Sequence, residues 1–343
     1  MTAPRHILVM RFSAMGDVAM TVPVIKEVLR QNPDLQITYV SRPGFADFFG
    51  GIARLNYLPA DFEMLYNGFA GPLKLFNKLR GTTKYDAIAD LHDSLRSKFI
   101  RRLFRLSGVK NAYIDKGRDE KKLLTRFPNK VLKPLKRTVE RYADVFRELG
   151  LNMELDNRLH KILRSIPENI KTIAGDKTST WIGIAPFAKH TGKIYPLQKM
   201  EEVIGTLAKE NVKLFLFGGS VQEQEICRQW EKQFTHVIST VRVLNMDEEL
   251  ALISNLDVML SMDSAGMHLA SLVGTPVVSV WGATHHYAGF LGYGQSEENI
   301  VADDIECRPC SVYGNKPCFR KDYACMQNIS ATMIVDKISK FVR

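Results

Sequence analysis

Residues 256–283, LDVMLSMDSAGMHLASLVGTPVVSVWGA, constrain the chain more than any other stretch. They open with an apolar run, 256–260, short enough to be a buried strand. A small polar turn follows, Ser261 to Gly266. A helix is expected over 267–273, closed by Gly274 with Pro276 just beyond. A second apolar run, 277–281, completes strand, loop, helix and strand, the βαβ unit of a parallel sheet. Asp263 and Ser264 then fall where a strand's carboxyl end meets a helix amino end. Free backbone N–H groups and the helix dipole favour phosphate there. His268 lies about one turn beyond Ser264, aimed at the same crevice. The alternative is that Asp263 or Ser264 only caps the helix.

The opening of the chain reads the same way. Residues 6–12, HILVMRF, form an apolar strand, and Ser13-Ala14-Met15-Gly16 form a small-residue turn. Asp17 opens a helix expected to run to about Gln31, with Val18, Val22, Ile25 and Leu29 on its apolar face. This resembles the start of a dinucleotide-binding fold but lacks the glycines of G-x-G-x-x-G. That absence argues against a nicotinamide-dependent oxidoreductase. A carboxylate at the helix start also repels phosphate, so the loop suits presenting Asp17 to a neutral or cationic group. Capping by Asp17 is the plainer alternative. Strands over 35–40, 85–91 and 111–114 follow. His92 and Arg96 lie past the strand 85–91, at the edge where open α/β sheets bind ligands, although His92 also fits an ordinary exposed loop histidine.

Periodicity weakens across 151–178, which marks a linker. Strands over 181–185, 212–217 and 236–239, with helices over 197–209 and 247–254, then rebuild a second α/β domain. The loop PFAKHTGKIYP, 186–196, carries Lys189, His190, Thr191 and Lys193, which can neutralise a diphosphate. Gly218-Gly219-Ser220 leads into a helix beginning with Gln222 and Glu223. An acid there can take ribose hydroxyls or simply favour the helix terminus. A last helix spans 330–342.

Composition narrows the partners. A length of 343 residues suits two domains. Hydrophobic residues make up 45% and charged residues 24%, as in ordinary soluble proteins. No apolar run is long enough to span a bilayer, and the start has no signal-peptide core, so a cytoplasmic location is expected. The net charge is +10, and residues 116–141 hold ten basic residues against three acidic ones. Such runs are usually only solvated. Here Leu123, Leu124, Phe127, Val131, Leu132 and Leu135 are interleaved with the charge, which suits an anionic lipid surface. A nucleic-acid binder would spread its charge along a groove with stacking aromatics, so no nucleic acid is expected. Cys307, Cys310, Cys318 and Cys325 are spaced C-x2-C-x7-C-x6-C, with Cys227 apart. Clustered thiols in a cytoplasmic protein suggest a structural zinc more than disulfides. Only the first pair has tight knuckle spacing, so reduced thiols in a packed loop are favoured over the zinc.

Three pieces stand together in order: MRFSAMGDVAMTVP, PFAKHTGKIYP and MDSAGMHLASLVGTPVVSVWG. The chain resembles the heptosyltransferase family, glycosyltransferase family 9, over its whole length. The resemblance implies an α/β GT-B fold, with two Rossmann-like domains of parallel sheets facing across a cleft. It implies an acceptor domain over 1–170, a nucleotide-sugar domain over 171–329, and a C-terminal helix, 330–343, returning to the first. It implies inverting transfer of a heptose from ADP-heptose to lipid A-Kdo or a core oligosaccharide, with no cofactor required for chemistry. The enzyme would be peripheral on the inner face of the inner membrane, through 116–141. By position, Asp17 matches the family's catalytic base and Lys193 its diphosphate-contacting lysine. Asp263, Ser264, Ala265, Gly266 and His268 match its donor-binding segment. Gln222 or Glu223 falls near its ribose-binding acid. On the acceptor side stand Arg11, Ser13, Gly16, His92 and Arg96. Tyr195-Pro196 replaces the usual Trp-Pro, Ala188 and Lys189 stand where threonines are usual, and Arg11 stands where lysine is common.

Overall fold

Strands buried on both faces read as continuous apolar runs, and such strands assemble into parallel sheets. A computed structural model of the chain describes residues 3–342 and contains two sets of them, one in each of two units. The first unit is Met1–Lys116 with Thr138–Asp156, and the second is Gly117–Arg137 with Asn157–Arg343.

The first unit holds β1 (His6–Met10), β2 (Gln36–Ser41), β3 (Leu55–Pro59), β4 (Ala87–Asp90) and β5 (Lys110–Tyr113). They form one parallel sheet in the order β3-β2-β1-β4-β5. Its helices are α1 (Met15–Ala19), α2 (Thr21–Gln31), α3 (Gly71–Thr82) and α4 (Leu95–Leu106). The chain then passes α5 (Arg118–Leu124), which belongs to the second unit, and returns for α6 (Thr138–Glu148). Leu75, Phe76 and Leu79 of α3 and Ile100 and Phe104 of α4 pack with Leu8, Met10 and Ile88 of the sheet.

One helix was expected after β1, and there are two. Pro23 lacks the N–H that would bond the carbonyl of Ala19, so the ladder breaks at Met20. The first helix also begins at Met15, which puts Asp17 at its third position rather than at its cap. The segment 50–84, which shows no clear pattern in the sequence, forms β3 and α3. Strand β3 lies at the sheet edge with each residue partly or fully exposed, so it carries no apolar run to announce it.

The second unit begins with α7 (Glu168–Ala174) and holds β6 (Thr180–Ala185), β7 (Val212–Leu216), β8 (Val237–Ser239), β9 (Val258–Met262), β10 (Val277–Trp281) and β11 (Ile300–Ala302). Its parallel order is β11-β10-β9-β6-β7-β8. Helices α8 (Leu197–Leu207), α9 (Val221–Gln233), α10 (Met246–Asn255), α11 (Ala265–Leu272), α12 (Ala324–Gln327) and α13 (Ala331–Ser339) complete it. Strand β9 starts two residues later than its apolar run suggests and extends through Ser261 and Met262. Ser261 is tolerated at full burial because its hydroxyl donates to the carbonyl of Met262.

In each sheet the chain builds outward on one side, then crosses back to build the other. The crossings fall between β1 and β4, and between β6 and β9. Strand order reverses at these points, and the carboxyl ends beside them are where open sheets bind ligands.

Two boundaries differ from the expected ones. The junction lies at 156/157 rather than near 170. The basic segment 117–137 joins the second unit because Leu124 and Leu135 bury against Ala288. The Leu135 N–H also donates to Tyr287 at 2.9 Å, and the Lys130 ammonium donates to Glu306 at 2.9 Å. The last helix, α13, places Ile334 and Ile338 in the second unit's core beside α8. Among the described residues no helix is long and apolar enough to cross a membrane.

Candidate active site

At the switch point of the first unit, the loop leaving β1 meets the loop leaving β4. Arg11 is buried and Asp17 is partly exposed, and they pair at 2.7 Å. Arg11 also donates to the carbonyl of Leu91 at 2.9 Å. Burial opposes the guanidinium's charge, but Tyr142, Asp17 and Tyr39 more than offset it, and its pKa is raised. The Asp17 carboxylate accepts the N–H of Ala14 at 3.3 Å, and the Tyr142 hydroxyl donates to the Asp17 carbonyl at 3.4 Å. The carboxylate thus serves the helix start and a buried cation together, at a position that solvent reaches. Ser13 and Gly16 precede it in sequence.

His92 joins this cluster. Its Nδ1 accepts the Phe12 N–H at 3.3 Å, so the ring proton sits on Nε2. Burial, then Arg11 and Lys116, lower its pKa to about 3. The ring is therefore a neutral donor rather than a titrating loop histidine. Beneath it the fully buried Asp90 accepts the N–H groups of His92 and Asp93 at 3.0 and 2.8 Å and pairs with Arg101 at 3.1 Å. This network fixes the turn that aims His92. Arg96 lies over the ring of Phe62, 5.1 Å from its centroid, and Phe62 rests on Phe12. Arg96 is thus tied to the same loop edge.

At the switch point of the second unit, the loop after β6 meets the loop after β9. Lys193 reaches Asp263 at 2.8 Å, and the Thr284 hydroxyl, past the end of β10, donates to the same carboxylate oxygen at 2.8 Å. Asp263 is buried, so it needs both partners. Gly192 sets the approach of the lysine loop. A Cβ there would stand 2.9 Å from both Ala283 Cβ and the Gly314 carbonyl. Tyr195 closes the loop by donating to the Ile329 carbonyl at 3.0 Å.

Neither residue offered as a cap for α11 performs that role. Ser264 stands at the cap position, but its side chain makes no capping bond, and its hydroxyl lies 3.4 Å from that of Ser261. The Asp263 carboxylate is held by Lys193 and Thr284. The amino end of α11, at Ala265 and Gly266, therefore has no side-chain cap, which suits an anion. Gly266 lets this end approach the sheet: a Cβ would stand 2.8 Å from Ala185 Cβ and 3.0 Å from Ser261 Oγ. His268, one turn on, is buried.

Glu223 accepts the N–H groups of Gly219 and Ser220 at 2.7 and 2.9 Å, and the Ser220 hydroxyl accepts the Glu223 N–H. This capping box is the helix-terminus alternative for Glu223. Gln222 beside it is exposed. Two contributors escape the sequence patterns, Thr284 and Tyr142. Thr284 follows a strand's carboxyl end, a position that the sheet-edge rule would have flagged. Tyr142 sits on α6, far along the chain, with no local signal.

The four clustered cysteines line one small cavity of about 10 Å³ together with Arg308. Among the described residues no three His, Cys, Asp or Glu side chains are arranged to hold a metal ion. Hydrogen bonds fix the loop: Cys310 and Ser311 donate to the Ala283 carbonyl, each at 3.1 Å, and Arg308 Nε donates to the Gly282 carbonyl at 3.0 Å. The same loop brings Gly314 against the Lys193 stem, so it also braces the lysine.

Comparison with known proteins identifies the family and the fold. The model of glycosyltransferase family 9 (heptosyltransferase) matches residues 73–318. Lipopolysaccharide heptosyltransferase 1 of Escherichia coli (strain K12) is 23% identical over 303 residues, which is 85% of this chain and 92% of that protein. A glycosyl transferase of family 9 from Veillonella parvula superposes with a TM-score of 0.77 at 17% identity, covering 98% of this chain and 97% of its own. The E. coli heptosyltransferase WaaC with ADP gives 0.68 at 19% identity, over 98% and 100%.

Proposed function

Because the chain belongs to glycosyltransferase family 9, the heptosyltransferase family, we propose that it transfers a heptose from ADP-heptose to a lipopolysaccharide inner-core acceptor, inverting the anomeric carbon. That the chain is a glycosyltransferase follows from the family. The donor and acceptor are our reading. It is supported by curated relatives that are lipopolysaccharide heptosyltransferases and by a structural neighbour that holds ADP. The observation that carries it is Lys193 poised at Asp263 beside an uncapped helix end.

In this reading an acceptor hydroxyl attacks the anomeric carbon, and its proton passes to the Asp17 carboxylate. The bond from that carbon to the diphosphate oxygen breaks, and the electron pair leaves with ADP. Lys193 and the N–H groups at the start of α11 offset the charge that develops there. Arg11 holds Asp17 in place, and neutral His92 offers its Nε2–H to the acceptor. Ser13, Gly16 and Arg96 border the same acceptor side, and Gln222 is the position offered for the ribose. No cofactor takes part in these steps.

With a lipid-linked acceptor, our reading puts the reaction at a membrane, and we propose the cytoplasmic face of the inner membrane. The segment 117–137 supports this with Leu123, Phe127, Val131 and Leu132 exposed among its basic residues. The cysteines expected to hold a structural zinc are not arranged to hold a metal among the described residues, so zinc well below one per chain is the outcome expected in protein purified without chelators. Zinc near one per chain would restore the zinc reading.

Thermal-shift screening against ADP-, UDP-, GDP- and CMP-sugars tests the donor, since a ligand that binds only the folded state stabilises it. ADP-heptose should give the largest shift, and preference for another nucleotide would replace this donor. Asp17→Asn should lower turnover by about 100- to 10,000-fold with ADP affinity nearly unchanged. Equal turnover would remove Asp17 from the mechanism.

A further inference from the structure

Helix α4 is amphipathic twice over. Its inner face buries Ile100 and Phe104, and Phe104 meets Phe76 of α3 edge-on at 4.8 Å. Its outer face carries Leu95, Phe99, Arg102 and Leu106, spaced to form one stripe. Leu95 and Leu106 are 89% and 85% exposed, and Phe99 and Arg102 are exposed as well. A single exposed leucine needs no explanation, but a stripe of them on one helix face does. The neighbouring helix α3 adds exposed Leu73, and the loop before it adds Met64, Leu65 and Phe69. Arg96 over Phe62 ties that loop to the start of α4.

Charge says what covers this face. Neither α3 nor α4 contains an acidic residue, while together they carry eight basic ones. Arg101 is spent on Asp90, and Lys98 pairs with Asp93 at 3.3 Å. Lys74, Lys78, Arg80, Arg102 and Arg105 are exposed. The two acids of the adjoining loop are engaged: Asp61 accepts the N–H groups of Glu63 and Met64, and Glu63 pairs with Arg42 at 3.0 Å. A second copy of this chain would bring the same cations against one another across a two-fold interface, which disfavours self-association. Apolar side chains interleaved with unopposed cations match an anionic bilayer, where the rings and leucines enter the headgroup boundary and the cations meet the phosphates.

We propose that the outer faces of α3 and α4, with the loop that precedes α3, dock on an anionic lipid bilayer. This surface belongs to the first unit, whereas the basic segment 117–137 belongs to the second. The proposal does not depend on which sugar the enzyme transfers.

The test is co-sedimentation of the full chain with vesicles of phosphatidylcholine alone and of phosphatidylcholine mixed with phosphatidylglycerol. The expected result is binding to the mixed vesicles, weakened by salt, with little binding to phosphatidylcholine. Arg102→Gln with Arg105→Gln should lower the partition coefficient by about tenfold or more, since each surface cation is worth roughly fivefold. Leu95→Ser with Leu106→Ser should lower it comparably. Both residues project into solvent, so each variant should melt as the parent does and retain its nucleotide-induced thermal shift, which checks the fold. Turnover of a short acceptor lacking acyl chains should persist in these variants, which separates loss of docking from failure of the proposed transfer. Unchanged vesicle binding in folded variants would overturn the assignment of this face. Equal binding to both vesicle types would overturn its electrostatic basis. A dimer that the variants dissolve, or tighter binding to duplex DNA than to the mixed vesicles, would replace the bilayer with another occupant.

Discussion

His92 shows how one partly buried ring links the acceptor side to pH. Its folded pKa is about 3 against an ordinary 6.5, because burial and then Arg11 and Lys116 disfavour the cation, with Asp17 opposing them. Between those values the unfolded chain binds a proton that the folded chain does not, so stability falls as pH drops through that window and is level above it. Asn is the replacement that keeps the geometry, since its side-chain oxygen can take the Phe12 N–H that Nδ1 now accepts. His92→Asn should therefore flatten the decline in melting temperature below about pH 6.5. His285, also lowered to about 3 by burial, then Arg308 and His286, keeps its share in both proteins. Parallel pH profiles for the parent and the variant would show that His92 is not held neutral. The same variant lacks the Nε2–H, so it should raise KM for the acceptor while leaving ADP affinity alone.

Helix starts divide into those sealed by a side chain, as at α9, and those without such a seal, as at α11. The Ser220 hydroxyl accepts the Glu223 N–H at 3.1 Å at the start of α9, whereas Ser264 makes no such bond at the start of α11. Losing a working cap costs about 1 kcal/mol. Ser220→Ala should show that loss in urea unfolding followed by fluorescence. Ser264→Ala should show well under half of it, while weakening ADP binding. Equal losses would mean that Ser264 is a cap and that this helix end is not reserved for a ligand. Elements as deeply buried as β9 and β10 could be read directly from the sequence, because a strand covered on both faces has no choice but an apolar run. Edge strand β3 could not, since its side chains are only partly covered. The break at Met20 was legible in principle from Pro23. The site divides in the same way. Lys193 and Asp263 sit in the loops, and Asp17 in the first helical turn, that follow apolar strands, so their placement at a sheet edge was predictable. That Asp263 is consumed by Lys193 and Thr284 was not, because it depends on three loops, after β6, β9 and β10, converging in space.

The distribution of tryptophan gives the whole molecule a convenient asymmetry. Trp181, Trp230 and Trp281 are the chain's three tryptophans, and all fall within the second unit. Fluorescence therefore follows that unit, while far-ultraviolet circular dichroism follows both. ADP held by Lys193 and the end of α11 should raise the stability seen by fluorescence by about 2.7 kcal/mol at a hundredfold excess over its Kd. Lys193→Ala complicates any direct comparison, because it also removes a partner from the buried Asp263 and destabilises the unit without ligand. The informative quantity is thus the shift that ADP adds to each protein separately. If the lysine contributes on the order of tenfold to affinity, the same ADP concentration should add only about 1.4 kcal/mol to the variant. An undiminished shift would place the diphosphate away from Lys193. A shift seen by circular dichroism with none in fluorescence would move nucleotide binding to the first unit and reverse the roles assigned to Asp17 and Asp263.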